Sequence, residues 1–140
     1  MEKDSVALAG QLKVTRRLLV IDDEEAIRII LKAVLAVTAN WQVLTAASGH
    51  TGLEIAQAEQ PDAILLDVNM PDLDGISLFH KLQSLPLTQD IPAIFLTAQA
   101  REAERKALEA LGAGVILKPF EPVAIAQQIR TILNWPHREI

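Results

Sequence analysis

From Arg17 onward, short apolar runs alternate five times with longer stretches whose apolar residues recur every three or four positions. Leu18-Leu19-Val20-Ile21 is too short for a helix and predicts a strand buried on both faces. Ile27, Ile30, Leu31, Val34 and Leu35 follow at helical spacing. Trp41 to Ala46 predicts a second, weaker strand. Ser48 suits the N-cap of a helix carrying Leu53, Ala56 and Ala58, which must end before Pro61. Ala63-Ile64-Leu65-Leu66 predicts a third strand, stopped by Asp67. The loop from Val68 to Asp74 leads into a helix with Ile76, Phe79 and Leu82. Pro92 opens a fourth strand, Ala93 to Leu96, ending at Thr97. Arg101 to Leu111 is rich in Ala, Glu, Arg and Leu and predicts a helix, with Gly112 as its stop. Val115-Ile116-Leu117 is the last strand. Pro122 suits the start of a final helix with Ile125, Ile129, Ile132 and Leu133.

Strands alternating with helices at this spacing imply right-handed crossovers and one parallel sheet covered on both faces, an α/β class built as (βα) five times. In such sheets ligands sit outside the carboxyl ends of the strands, near the point where strand order reverses. The chain has 140 residues, the size of one domain. Residues 1–16 show no sustained period and read as a loose tail, residues 17–135 as the domain, and residues 136–140 as a short C-terminal tail with no output domain after it.

Half of the residues are hydrophobic and 22% are charged, a globular balance. Net charge is −5, which argues against a broad nucleic-acid-binding face, because phosphate neutralisation needs clustered Lys and Arg. The absence of Cys excludes disulfides and thiolate metal sites and permits a reducing compartment. The greasiest stretch, Ala26 to Ala39, is interrupted by Arg28 and Lys32, so no transmembrane helix is expected. A soluble cytoplasmic protein without membrane insertion is the expectation.

The chemistry lies at the predicted strand ends. The first strand ends in Asp22-Asp23, the third in Asp67, the fourth in Thr97 and the fifth in Lys118-Pro119. The topology gathers these side chains on one edge of the sheet. Carboxylates so placed repel, by about 1–4 kcal/mol per close pair at surface-like dielectrics. A hard divalent cation such as Mg2+ offsets that, and Lys118 adds a second positive charge. Thr97 offers a hydroxyl to a phosphoryl oxygen, and Asp67 is placed as a nucleophile that forms an aspartyl phosphate. Taken singly, each residue has a plainer reading. Asp22 or Asp23 could cap the first helix, Asp67 could start a loop, Thr97 alone means little, and Lys118 could be solvated surface. It is the charge-complementary combination on one edge that favours chemistry.

The strings LLVIDDEE (Leu18 to Glu25), LLDVNMPDLDG (Leu65 to Gly75), FLTA (Phe95 to Ala98) and LKPF (Leu117 to Phe120) together resemble the receiver domain of two-component response regulators, of the single-domain, chemotaxis-regulator-like kind, over about Arg17 to Trp135. The resemblance implies a flavodoxin-like fold with strand order 2-1-3-4-5. It implies Asp67 as phosphoacceptor, Asp23 as a direct Mg2+ ligand, Asp22 acting mainly through water, and Asn69 offering its backbone carbonyl. Thr97 and Lys118 would contact the phosphoryl group, and the Lys118-Pro119 bond is similar to one usually cis. Asn69 and Gln99 occupy positions that tune phosphoryl lifetime in the family. The implied donor is a sensor histidine kinase or a histidine phosphotransfer protein. The implied output is binding to a downstream protein, by a monomer or weak homodimer that catalyses its own phosphorylation and dephosphorylation.

One departure stands out. The family usually carries an aromatic or His three residues before the strand-five Lys, and here that position is Val115. Three alternatives fit less well. A haloacid-dehalogenase-type phosphatase needs a second Asp where Asn69 stands. A pseudo-receiver typically loses an acidic or Lys position that is present here. A flavin-binding module needs a Ser/Thr-rich loop after the first strand. His50, His80 and His137 read as scattered and unpaired. Gly112-Ala113-Gly114 reads as a helix stop, and the alternating charges of Arg101 to Glu109 as a solvated helix face.

Overall fold

The computed structural model describes residues 15–98 and 101–136. Strands β1 (Arg17–Ile21), β2 (Gln42–Ala46), β3 (Ala63–Asp67), β4 (Ala93–Thr97) and β5 (Gly114–Leu117) form one sheet in the order β2-β1-β3-β4-β5. Every neighbouring pair is parallel. Between and after the strands run α1 (Glu25–Ala39), α2 (Gly49–Glu59), α3 (Gly75–Ser84), α4 (Glu102–Leu111) and α5 (Ile125–Leu133).

Alternation along each strand divides the apolar residues between two layers. Leu18, Val20, Leu65, Ile94, Leu96 and Ile116 meet Leu31 and Leu35 of α1 and Ile125, Ala126 and Ile129 of α5. Leu19, Ile21, Ile64, Leu66 and Phe95 face the other way, against Ala56 of α2, Leu78, Phe79 and Leu82 of α3, and Leu108 of α4. β3 and β4 are buried along their whole length, which is why they read as unbroken apolar runs. β2 is an edge strand with Gln42 exposed, and its weaker signal has that cause.

Register fixes the functional edge. Ile21 pairs with Leu66, Asp67 with Leu96, and Thr97 with Leu117. Asp22, Asp67, Thr97 and Lys118 therefore leave adjacent strands at nearly one level. The chain moves outward in opposite directions from β1 and β3, so the switch point lies between Asp22 and Asp67.

Three details differ from the sequence expectation. Trp41 is not in β2: its N–H donates to Leu35 O (3.2 Å) while Asn40, at φ 59°, closes α1 in a left-handed conformation. Pro122 opens a single 3₁₀ turn (Pro122–Ala124), and α5 starts only at Ile125, because the Ala124 N–H bonds three residues back to Glu121 O (3.0 Å). Gly112 does follow α4, but at φ −108° it uses no conformation special to glycine. Its need is space, since a Cβ there would lie 2.8 Å from Ala93 O and 2.9 Å from the Phe95 ring.

Capping and charge complete the picture. Ser48 caps α2, accepting from the Thr51 N–H at 3.2 Å. On α4, Leu108 is the one buried residue, and Lys106–Glu102 (3.5 Å) and Arg105–Glu109 (3.9 Å) decorate a solvated face as the charge pattern predicts. Among the described residues no helix is long and apolar enough to cross a membrane. The expected tails lie almost wholly outside the described residues, as do Gln99 and His137.

Candidate functional site

Asp22, Asp67, Thr97 and Lys118 do meet at the carboxyl edge of the sheet, with Asp23 beside them. One carboxylate oxygen from each of Asp22, Asp23 and Asp67 lies within 4.8 Å of the others. Asp22 is fully buried, Asp67 is 4% exposed, and Asp23 faces solvent. The Lys118 ammonium lies 2.9 Å from Asp22 Oδ2, 3.3 Å from Asp67 Oδ1 and 3.0 Å from Glu24 Oε1. The Lys118-Pro119 peptide is cis. Thr97 is fully buried, and its carbonyl accepts the Lys118 N–H at 2.8 Å, so the two residues are fixed to each other through the backbone.

Local structure explains these positions. Asp22 Oδ1 accepts the Glu24 N–H (2.9 Å), and the Asp22 carbonyl accepts from the Arg28 guanidinium (2.8 Å). Asp22 thus shapes the entry to α1, while the N-cap position itself belongs to Glu24, whose side chain makes no cap. Asp67 Oδ1 accepts the Asn69 N–H at 3.3 Å, which ties Asn69 to the pocket through its backbone. The loop bearing Asn69 is held at both ends. Gly75 N–H donates to Val68 O (2.8 Å), and a Cβ at Gly75 would stand only 2.4 Å from Asp67 O. Farther along, Asp72 accepts the Gly49 and His50 N–H groups at 3.1 and 3.2 Å and meets His50 Nδ1 at 2.8 Å.

That last contact corrects the expectation that the histidines are unpaired. The partners are 22 residues apart, on a loop and a helix start, and no sequence pattern joins them. Glu24 is the other participant that sequence reasoning left without a role. It stands inside the acidic string, but its partner Lys118 is 94 residues away.

The electrostatics of the pocket follow from burial. Burial first, and then the neighbouring Asp22 charge, push the Asp67 carboxyl up to about 6, against the opposing pull of Lys118 and the Asn69 N–H. Burial by itself would lower the Lys118 ammonium. Its contacts with Asp22 and Glu24, and the charges of Asp22 and Asp67, outweigh that and hold it above its ordinary value. At the rim, the Gly49 N–H above all, then the His50 N–H and ring, hold Asp72 down at about 2.

The residues fit a hard divalent cation. The donor set is all carboxylate oxygen, which suits Mg2+ and not a soft metal. Among the described residues, Asp22 Oδ2 is buried without a hydrogen bond and has Lys118 as its ion-pair partner. A buried oxygen left in that state gains from a cation.

A family profile described as response regulator receiver domain matches residues 18–130. Among curated proteins the chain is 40% identical over 120 residues to the "Probable transcriptional regulator ycf27" of Cyanophora paradoxa, covering 85% of this chain and 48% of that one. It is 36% identical over 120 residues to the response regulator PleD of Caulobacter vibrioides, covering 85% of this chain and 26% of that one. The chain thus spans about half the length, or less, of these relatives. Among solved structures, the chemotaxis response regulator CheY4 of Vibrio cholerae superposes with a TM-score of 0.78 at 28% identity, covering 85% of this chain and 99% of that one. The receiver domain of sensor histidine kinase PA1611 of Pseudomonas aeruginosa, solved with a magnesium ion in its active site cleft, superposes with a TM-score of 0.73 at 26% identity, covering 87% and 98%.

Proposed function

Because the chain belongs to the response regulator receiver domain family of two-component systems, we propose that it accepts a phosphoryl group on Asp67 in a Mg2+-dependent reaction and later loses it to water. The observation that carries this reading is the burial of Asp67 between a second carboxylate and Lys118, at the switch point of the sheet. Asp22, Asp23 and Asp67 would hold the ion, with the backbone of Asn69. When bound, Mg2+ supplies the positive charge that lets these carboxylates face an incoming phosphoryl group.

The chain's own groups do the rest. An Asp67 carboxylate oxygen forms the new bond to phosphorus as the donor's P–N or P–O bond breaks. The leaving group keeps that electron pair and takes any proton it needs from solvent. Lys118 neutralises charge on the phosphoryl oxygens, and the Thr97 hydroxyl donates a hydrogen bond to one of them. In the reverse half of the cycle, water attacks phosphorus, the P–O bond to Asp67 breaks, and inorganic phosphate leaves with a proton released to solvent. The donor is a sensor histidine kinase or a histidine phosphotransfer protein, and the signal passes to a downstream protein. Val115, half-buried against the layer of α2, α3 and α4, cannot supply a rotating ring, so Thr97 and the segment after it carry the response.

Incubation with acetyl phosphate and Mg2+, followed by mass measurement of the intact protein, tests the proposal. A gain of one phosphoryl group in the wild type and none in Asp67→Asn is expected. No gain in the wild type, or an equal gain in the variant, overturns it.

A further inference from the structure

Among the described residues Lys118 has three anionic neighbours, and they are not equivalent. The Asp22 side chain is wholly buried and that of Asp67 is 5% exposed, so both lie inside the pocket. The Glu24 side chain is 59% exposed and meets the ammonium from the solvent side. Glu24 sits at the N-cap position of α1, yet its side chain makes no capping bond and reaches to Lys118 at 3.0 Å. An exposed ion pair of this kind has little stabilising value by itself. Its effect here is positional. It adds a third direction of pull on the Lys118 ammonium.

Resting on the function proposed above, we infer that Glu24 is a positioning residue. Its carboxylate holds the Lys118 ammonium at the mouth of the pocket, in competition with a phosphoryl group on Asp67. Two effects act in the same direction. A phosphoryl group on Asp67 must draw Lys118 away from Glu24. It also brings new negative charge close to the Glu24 carboxylate. Glu24 therefore favours the unphosphorylated form over the phosphorylated one. The same negative charge adds to the field that attracts a divalent cation, so Glu24 acts with opposite sign on the two ligands of the pocket.

That opposition separates positioning from mere structural support. A variant that only loosened the pocket would weaken both ligands. The test compares wild type and Glu24→Gln by titration with Mg2+ alone, and then with beryllofluoride at saturating Mg2+. Beryllofluoride is expected to bind about 1.5- to fivefold more tightly in Glu24→Gln, the range of a single exposed charge contact. Mg2+ affinity is expected to be equal or weaker. Unchanged or weaker beryllofluoride binding in Glu24→Gln, with the wild type binding normally, overturns the inference and leaves the proposed function standing. A wild type that binds no beryllofluoride overturns both.

A second readout needs neither ligand. The change in Tm caused by Glu24→Gln is measured without Mg2+ in the wild-type and in the Lys118→Met background. Loss of the Lys118 contact makes removal of Glu24 more favourable by about 1–4 °C in the second background, because repulsion from the neighbouring aspartates then outweighs any attraction. Equal changes in the two backgrounds show that Glu24 does not act through Lys118, and the inference fails.

Discussion

At the scale of single residues, the site is a set of charges whose burial makes them interdependent. The folded Asp67 carboxyl keeps its proton up to about 6, against 3.8 for an ordinary Asp. Between those values the folded protein binds the extra proton. The stability this group contributes is therefore greatest below about pH 4 and falls as pH rises through 6. Asp72 works in the opposite sense, its contribution being present above about pH 4 and lost as pH falls toward 2. The two windows do not overlap. Metal-free wild-type protein should lose on the order of 1–2 kcal/mol from this source between pH 4.5 and 7.5, a slope missing from Asp67→Asn. Urea denaturation across that range checks it, and equal slopes in the two proteins would contradict the assignment. The aspartates and the lysine were legible at this scale because strand ends must carry them to one edge. Glu24–Lys118 and His50–Asp72 were not, since each joins residues that only folding brings together.

At the scale of elements, the pocket depends on how closely α3 approaches the end of β3. Gly75 begins that helix, and the three atoms nearest to an added Cβ belong to the backbone of Asp67 and Val68. A backbone neighbour cannot turn aside as a side chain can. Gly75→Ala should force α3 outward, cost about 2–4 kcal/mol, and slow phosphoryl uptake on Asp67 by displacing the loop between them. Thermal unfolding and the acetyl phosphate assay together check this. A variant of unchanged stability and rate would show that the approach is not a constraint. The sequence ended the loop at Asp74, just before a helix, and Asp74 does cap α3 by accepting the Ser77 N–H at 2.9 Å. It did not reveal that glycine is required by distance and not by conformation. The same holds at Gly112, where turn chemistry predicted the helix end and packing against β4 supplied the reason.

At the scale of the whole molecule, one edge of the sheet holds crowded negative charge while the opposite end closes on aromatic contacts. Trp41 and Trp135 meet edge-to-face at 5.3 Å, with Arg16 over Trp135 and Arg130 over Trp41. These contacts tie both ends of the described chain to the layer of α1 and α5, away from the site. A cation that binds the folded pocket and not the unfolded chain must raise global stability, by about 2.7 kcal/mol at a hundredfold excess over Kd. Millimolar Mg2+ should accordingly raise Tm by several degrees, and Asp23→Ala should abolish most of the rise. A rise that persists in Asp23→Ala would place the ion elsewhere.

The sequence by itself determined the α/β alternation, the parallel sheet and the residues at its functional edge. Those follow from periodicity and from the rule that a strand's end carries its last side chain to the rim. Strand order came only through the family resemblance, because hydrophobic period says which residues are buried and not which strands are neighbours. Tertiary structure alone decided how the charges share one lysine, which aspartate is sealed from water, and why Gly75 must lack a side chain. Each of these is a distance between segments far apart in the chain, and no local pattern of residues encodes such a distance.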